Sequence, residues 1–409
     1  MTPNADVDPR ARPAQSMDAR IVEIRPLPGN ARRGYHTVLA FMLVVLLGSA
    51  AAPAAAQPAP TTTSPLQPLA DAYRDALDVP ALTIAAISLD RIDVAADGVR
   101  RLGSRAPVGP RDPFHTGSLG KAMFATAVGR EVEAGRVRWD TSLGDVFPEL
   151  IATGGRAYAR VTLDDLLRHR SGLLALDDAN ALAAVPAFAG SPRAQRAQFV
   201  AWVLRQRPVV PPRTQVLYSN AGYVVAAALL ERLTGQSFEA WMESRLFRPL
   251  CISVSYDWPA AGAARWSAPW GHEDVNGRFV PRAPDWRPGL IPAWLRPAAG
   301  VSVTPRDLAR FVQLHLRGLR GEARLLDVST FQYLHTPVDG FGLGWQVADV
   351  GGHRISTFIG ASGLFAASMW IDATHGLAGV AMTNVDTETV EIGVQQIAAA
   401  LASGAAAQP

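Results

Sequence analysis

Residues 115–124 read HTGSLGKAMF and place Ser118 three positions before Lys121. Lys121 is the single lysine of the 409-residue chain, so the other 38 of its 39 basic residues are arginine. On a solvated surface the two cations are nearly interchangeable. They differ where a proton must leave. A guanidinium stays charged at any ordinary pH, whereas a buried ammonium can shed its proton and act as a base. Chance survival of one lysine codon is the plain alternative, and composition alone does not separate the two. The neighbours say more. Glycines flank the pair and an apolar helical pattern follows, so both side chains leave one face of a first helical turn. Free N–H groups and the positive end of the helix dipole favour an oxyanion there. A neutral amine one turn away could take the hydroxyl proton and make Ser118 a nucleophile. A Ser N-cap followed by a surface lysine is the bland reading, and Ser-x-x-Lys by itself is a weak motif.

A second stretch, VLYSNAGY, puts Tyr218 and Asn220 two residues apart just before an apolar helix. In an extended segment a phenol and an amide at this spacing project the same way. A phenolate near two cations could shuttle a proton to a leaving group. The amide could hold a substrate carbonyl. Ser219 or Asn220 as a helix cap is the structural alternative, and it is compatible with chemistry.

Other motifs fail on inspection. HTGSLGKA is no phosphate loop, because His115 takes the first glycine position and Ala122 the position of the magnesium-binding hydroxyl. No Gly-x-Ser-x-Gly elbow surrounds Ser118. The eight histidines form no metal-ligand pattern. His169 in LLRHRSGL reads as a structural hydrogen-bonding residue. Cys251, the one cysteine, reads as a small core residue at a buried turn and excludes an intramolecular disulfide. The tryptophans at 258, 266, 270, 286 and 294 could line an acyl pocket, but ordinary loop packing is the default.

The rest of the chain must position these residues. Hydrophobic residues make up 48% of it, enough for a large core, and the formal charge of +3 is weak ground for a nucleic-acid partner. Arg32 and Arg33, the run VLAFMLVVLLGSA, and Ala54 and Ala56 read as a signal peptide over residues 1–56, cleaved after Ala56. Met17 is a candidate true start, and export by the general route to the periplasm or medium is expected. An uncleaved membrane anchor is the alternative. Residues 57–66 form a Pro/Thr-rich linker. Strand patterns occur at ALTIAAISLD and in four runs between residues 341 and 384, and helix patterns fill the middle. We therefore expect an α+β fold: a mostly antiparallel sheet formed from both chain ends, flanked by helices, with an inserted mainly helical lobe. One hydrolase domain over 67–402 divides into a sheet lobe (67–115 and 300–402) and a helical lobe (116–299).

These motifs, in this order and spacing, resemble the serine β-lactamase and penicillin-binding-protein superfamily, in particular class C β-lactamases, D,D-peptidases and family VIII carboxylesterases. The segments GSLGKAMFATAVGREVEAGRVRWDTSLGDVFPEL, VTLDDLLRHRSGL, YSN, AAGVSVTPRDLARFVQLHL and FGLGWQV carry the likeness across most of residues 67–402. The resemblance implies that Ser118 forms the acyl-enzyme, Lys121 is its base partner, Tyr218 acts as general acid and base, and Asn220 orients substrate. The family's third motif, Lys/His-x-Gly, falls at Phe358-Ile359-Gly360, so Phe358 stands where a cation is expected. Gly360 matches in kind, and the Ala361 and Ser118 N–H groups would form the oxyanion site. No metal or organic cofactor is implied. The implied partner is a small ester, amide or peptide substrate. Loss of the cation argues against β-lactam or cell-wall peptide recognition and for a carboxylesterase-like activity. Some esterases of this branch also carry an aromatic there. A β-lactamase or D,D-peptidase is the second reading. A catalytically weak ligand-binding protein is a third, which the retained lysine opposes.

Overall fold

The computed structural model describes residues 64–264, 267–286 and 291–404. The leader expected over 1–56 and most of the linker at 57–66 lie outside them. The architecture is α+β. Strands β1 (Ala81–Ser88) and β2 (Ile92–Gly98) come from the first part of the chain, and β8 (Gln346–Val350), β9 (His353–Ala361), β10 (Ala366–Asp372) and β11 (Leu377–Thr383) from the last. They form one six-stranded antiparallel sheet in the order β2-β1-β11-β10-β9-β8. Strand β2 was not foreseen, because Asp93 and Asp97 break its apolar pattern on the sheet's outer edge. Five short strands lie between: β3 (Phe114–His115), β4 (Val254–Ser255), β5 (His272–Asp274), β6 (Phe279–Pro281) and β7 (Ser302–Val303). Strand β7 pairs with both β3 and β4, and β5 pairs with β6.

Side chains alternate across a strand, so each strand divides between two cores. Leu82, Ile84 and Ala381 pack under the Gln67–Leu77 and Glu388–Ala402 helices. Ala85, Ile87, Met369, Val380 and Met382 face the larger core, which the helices Gly120–Glu133, Asn220–Thr234 and Pro305–Leu319 share. Apolar burial of this kind stabilises by roughly 25 cal/mol per Å² removed from water. The helix starts follow capping chemistry. Thr162 and Asp165 form a capping box, and the Thr304 hydroxyl accepts from the Asp307 N–H. Cys251 departs from its expected burial. It is exposed at a left-handed turn (φ 52°), and Ile252 enters the core in its place.

Candidate active site

Strand β3 runs into a short 3₁₀ turn, Gly117–Leu119, which leads directly into the Gly120–Glu133 helix. Ser118 therefore sits on the turn and Lys121 in the first helical turn. The turn presses against the end of β9. A Cβ added at Gly360 would stand 1.9 Å from the Thr116 carbonyl oxygen and 3.0 Å from the Ser118 nitrogen. One added at Gly117, whose φ is +51°, would stand 2.7 Å from the Ala361 nitrogen. Only glycine lets these two backbones meet.

Ladder geometry fixes which N–H groups point at the seam. The Ser362 N–H donates to the Phe365 carbonyl, and Ala361 is opposite Ala366. Hydrogen-bonded and non-bonded pairs alternate along an antiparallel ladder. Gly360–Ala367 is then a bonded pair and Ala361–Ala366 a non-bonded one, so the Ala361 N–H turns away from β10. Strand β8 pairs with β9 from His353 to Thr357 and no further. The Ala361 N–H is thus directed to an edge that no strand covers, beside the turn that carries Ser118.

Ser118 Oγ lies 2.9 Å from Lys121 Nζ and 2.7 Å from Tyr218 Oη. Lys121 is fully buried, and its Nζ donates to the Ala298 carbonyl at 2.6 Å. The amine sits 5.0 Å from the Tyr218 ring centre and 5.5 Å from that of Tyr223. Among the described residues it has no carboxylate partner. Burial holds its pKa well below the ordinary lysine value, opposed in part by the field of Asp177. Burial also pushes the Tyr218 hydroxyl well above its usual range. Burial thus favours the phenol form of Tyr218 over the phenolate considered from the sequence.

Ser219 caps the Asn220–Thr234 helix, its hydroxyl accepting from the Gly222 N–H. The cap and the site coexist, as the sequence allowed. Asn220 Nδ2 donates to the Leu176 carbonyl at 2.7 Å. Its Oδ1 is buried without a partner, so what Asn220 leaves open is an acceptor. His169 Nδ1 accepts from the Ser219 N–H at 3.1 Å, and its ring lies 4.5 Å from that of Tyr218. Burial, then the nearby lysine, lowers its pKa to about 3. It holds the Tyr218 segment as a neutral ring. Phe358 is buried on the same face of β9 as Gly360 and belongs to the larger core. The tryptophans mostly pack. Trp258 stacks on Phe365 and Trp294 on Phe199, and Trp286 lies under Arg282. Trp266 is outside the described residues. Among those residues no group of three or more His, Cys, Asp or Glu is arranged to hold a metal ion.

The beta-lactamase family model matches residues 66–402. The chain belongs to the beta-lactamase family. It is a serine hydrolase of that family. Penicillin-binding protein 4 of Amycolatopsis lactamdurans is 28% identical over 330 residues, covering 77% of this chain and 83% of its own. A beta-lactamase of Escherichia coli K12 is 26% identical over 278 residues, 66% of this chain and 67% of its own. Among solved structures, a crystal structure of SurE superposes with a TM-score of 0.64 at 23% identity, covering 78% of this chain and 70% of its own.

Three features of this beta-lactamase-family site escaped sequence reasoning. Tyr223, one helical turn beyond Ser219, donates to the Leu167 carbonyl at 2.9 Å and walls the lysine. Asp177 reaches the site electrostatically from a loop. Finally, a buried polar chain joins the lysine's helix to β9. Thr126 Oγ1 donates to the Ala122 carbonyl at 2.7 Å and so accepts from His315 Nε2 at 2.9 Å. His315 Nδ1 must then accept from His335 Nε2 at 2.9 Å, and His335 Nδ1 from the Ser356 hydroxyl at 2.7 Å. Every member is satisfied, and the direction is fixed from one end. Only the helical spacing of Ala122 and Thr126 was visible beforehand; the histidines come from segments far apart in sequence.

Proposed function

We propose that Ser118, Lys121 and Tyr218 run an acyl-enzyme hydrolysis of small esters or amides that lack a carboxylate beside the scissile bond. The observation that carries this reading is the serine oxygen held between Nζ and Oη at 2.9 and 2.7 Å, with the lysine sealed from water. A neutral Lys121 accepts the Ser118 proton as Oγ attacks the carbonyl. The developing oxyanion is met by the N–H groups of Ser118 and Ala361. Tyr218 gives its proton to the leaving group and recovers one from the Lys121 ammonium. In deacylation the same pair takes a proton from water and returns it to Ser118. Asn220 Oδ1 accepts an N–H from an amide-bearing substrate. Phe358 supports the carboxylesterase-like reading, since a phenyl ring offers a substrate carboxylate neither charge nor a donor.

A β-lactam or D,D-peptide substrate is the second reading, favoured by the penicillin-binding relative and its coverage. Export fits either, with residues 1–56 as a cleaved leader; no helix among the described residues is long and apolar enough to cross a membrane. The deciding assay is hydrolysis of p-nitrophenyl butyrate by the purified protein and by Ser118→Ala, next to a chromogenic cephalosporin. We expect ester turnover to fall roughly 10³-fold or more in the variant, within the range for a lost catalytic group, and the cephalosporin to be the poorer substrate. Equal rates in both proteins would remove the acyl-enzyme reading and leave a binding module. A preferred cephalosporin would replace the esterase reading by the second.

A further inference from the structure

The loop Leu173–Asp178 runs past the mouth of the site and is clamped to it. The Ser219 hydroxyl donates to the Leu174 carbonyl, the Asn220 N–H to that of Ala175, and Asn220 Nδ2 to that of Leu176, each at 2.7 Å. Leu176 takes a left-handed conformation (φ 53°) and stays buried. The chain turns outward directly after it, so Asp177 is exposed while its neighbour Leu176 is not. The two consecutive acids are used differently. Asp178 caps the Ala179–Ala183 helix, its carboxylate accepting from the Ala181 N–H at 2.8 Å. Asp177 has no ion pair among the described residues. It is nevertheless the charged side chain whose field reaches both Lys121 and Tyr218.

Burial disfavours the charged forms of Lys121 and His169 and favours the protonated forms of Tyr218 and Tyr223, and Phe358 stands at the strand position where the family motif carries a cation. Asp177 adds a carboxylate on a loop that three hydrogen bonds hold in place. We infer that Asp177 is a specificity-determining residue that selects substrates bearing a cationic group, such as a quaternary or primary ammonium, near the scissile carbonyl. This rests on the acyl-enzyme reading above and names the substrate class of that site. An anionic substrate meets repulsion where relatives with the cation offer attraction, so discrimination comes from both signs of the field. Because Asp177 is exposed, the preference is modest and weakens with salt.

The test uses esters matched in shape and differing in charge. p-Nitrophenyl 4-(trimethylammonio)butyrate is compared with its neutral isostere, p-nitrophenyl 5,5-dimethylhexanoate, and butyrylthiocholine with 3,3-dimethylbutyl thiobutyrate. The first pair carries the cation in the acyl group and the second in the leaving group. In at least one pair we expect the cationic ester to be favoured about five- to tenfold in kcat/KM at low ionic strength. The preference should shrink in 0.5 M salt and vanish in Asp177→Asn, with neutral-ester turnover retained. A second readout is independent of substrate charge. The Asp177 carboxylate favours the protonated lysine, so Asp177→Asn should move the acid limb of neutral-ester turnover to lower pH. The other groups facing Nζ, namely Tyr218, Tyr223 and His169, are unchanged in that variant. Neutral isosteres equal to or better than the cationic esters in both pairs would overturn the proposal while leaving the hydrolase reading intact. Hydrolysis of all four esters that survives Ser118→Ala would overturn the hydrolase reading instead. In that event, calorimetric binding of 4-(trimethylammonio)butyramide and of 5,5-dimethylhexanamide to the wild-type protein and Asp177→Asn still decides the cation preference.

Discussion

Among the described residues two cationic side chains, Arg196 and Lys121, are fully buried, and the protein treats them in opposite ways. Arg196 sits among the helices with its guanidinium between two carboxylates: Nη2 is 2.7 Å from Glu231 and 2.9 Å from Glu239, and both pairs are bidentate. Lys121 sits against Ser118 with a carbonyl, a hydroxyl and two aromatic rings, and with no carboxylate in contact. A buried charge is tolerated only when paired. Arginine cannot lose its proton, so its site must supply the counter-charge. Lysine can lose its proton, and burial without a carboxylate in contact favours that loss. In a chain that uses arginine at all its other basic positions, the one lysine lies where burial favours deprotonation.

The sharpest break of this contrast is Lys121→Arg. A permanent charge without a carboxylate would then occupy the base position. We expect ester turnover to fall by roughly 10⁴-fold, the upper end for loss of a general base, measured as kcat/KM beside wild type. Turnover within tenfold of wild type would show that a neutral amine is not required. The converse substitution, Arg196→Met, leaves Glu231 and Glu239 facing each other without their cation. Denaturant unfolding should report a loss of about 3–5 kcal/mol, while turnover per folded molecule is retained. A smaller third effect comes from the lysine's titration. The unfolded chain carries the charged lysine up to its ordinary pKa of about 10.4, whereas the folded protein holds it neutral far below that. The unfolded state then binds more protons, and stability rises with pH through that window. The stability of wild type relative to Lys121→Met should therefore climb by about 1.4 kcal/mol per pH unit between pH 7 and 9. A gap that does not move with pH would mean the buried lysine keeps its proton.

The contrast also marks what the sequence could reveal. Lys121 stood out because its type is singular, and Ser118 and Tyr218 followed from short-range spacing. The α+β class was legible because strand and helix periods occur in separate stretches and both chain ends carry strand patterns. Arg196 was not legible, since one arginine among 38 looks like the rest. Its burial depends on Glu231 and Glu239, which come from a later helix and the short helix beyond it. Asp177 was hidden for a related reason: it and Asp178 are adjacent and alike, and only the left-handed Leu176 and the cap at Asp178 separate their tasks. Cys251 was misread because its apolar neighbours suggested burial, while the positive φ that turns it outward has no glycine to announce it.

The chain of Thr126, His315, His335 and Ser356 has a consequence for how the enzyme's pH response is to be read. Both imidazoles carry their hydrogen on Nε2, and a second proton on His315 would set its Nδ1–H against the His335 Nε2–H. Burial answers this by lowering His335 to about 3 and His315 well below its ordinary value. The brace between the Lys121 helix and the strand of Gly360 and Ala361 is thus held in its uncharged form. These two histidines are therefore not the source of a titration seen in turnover near neutral pH.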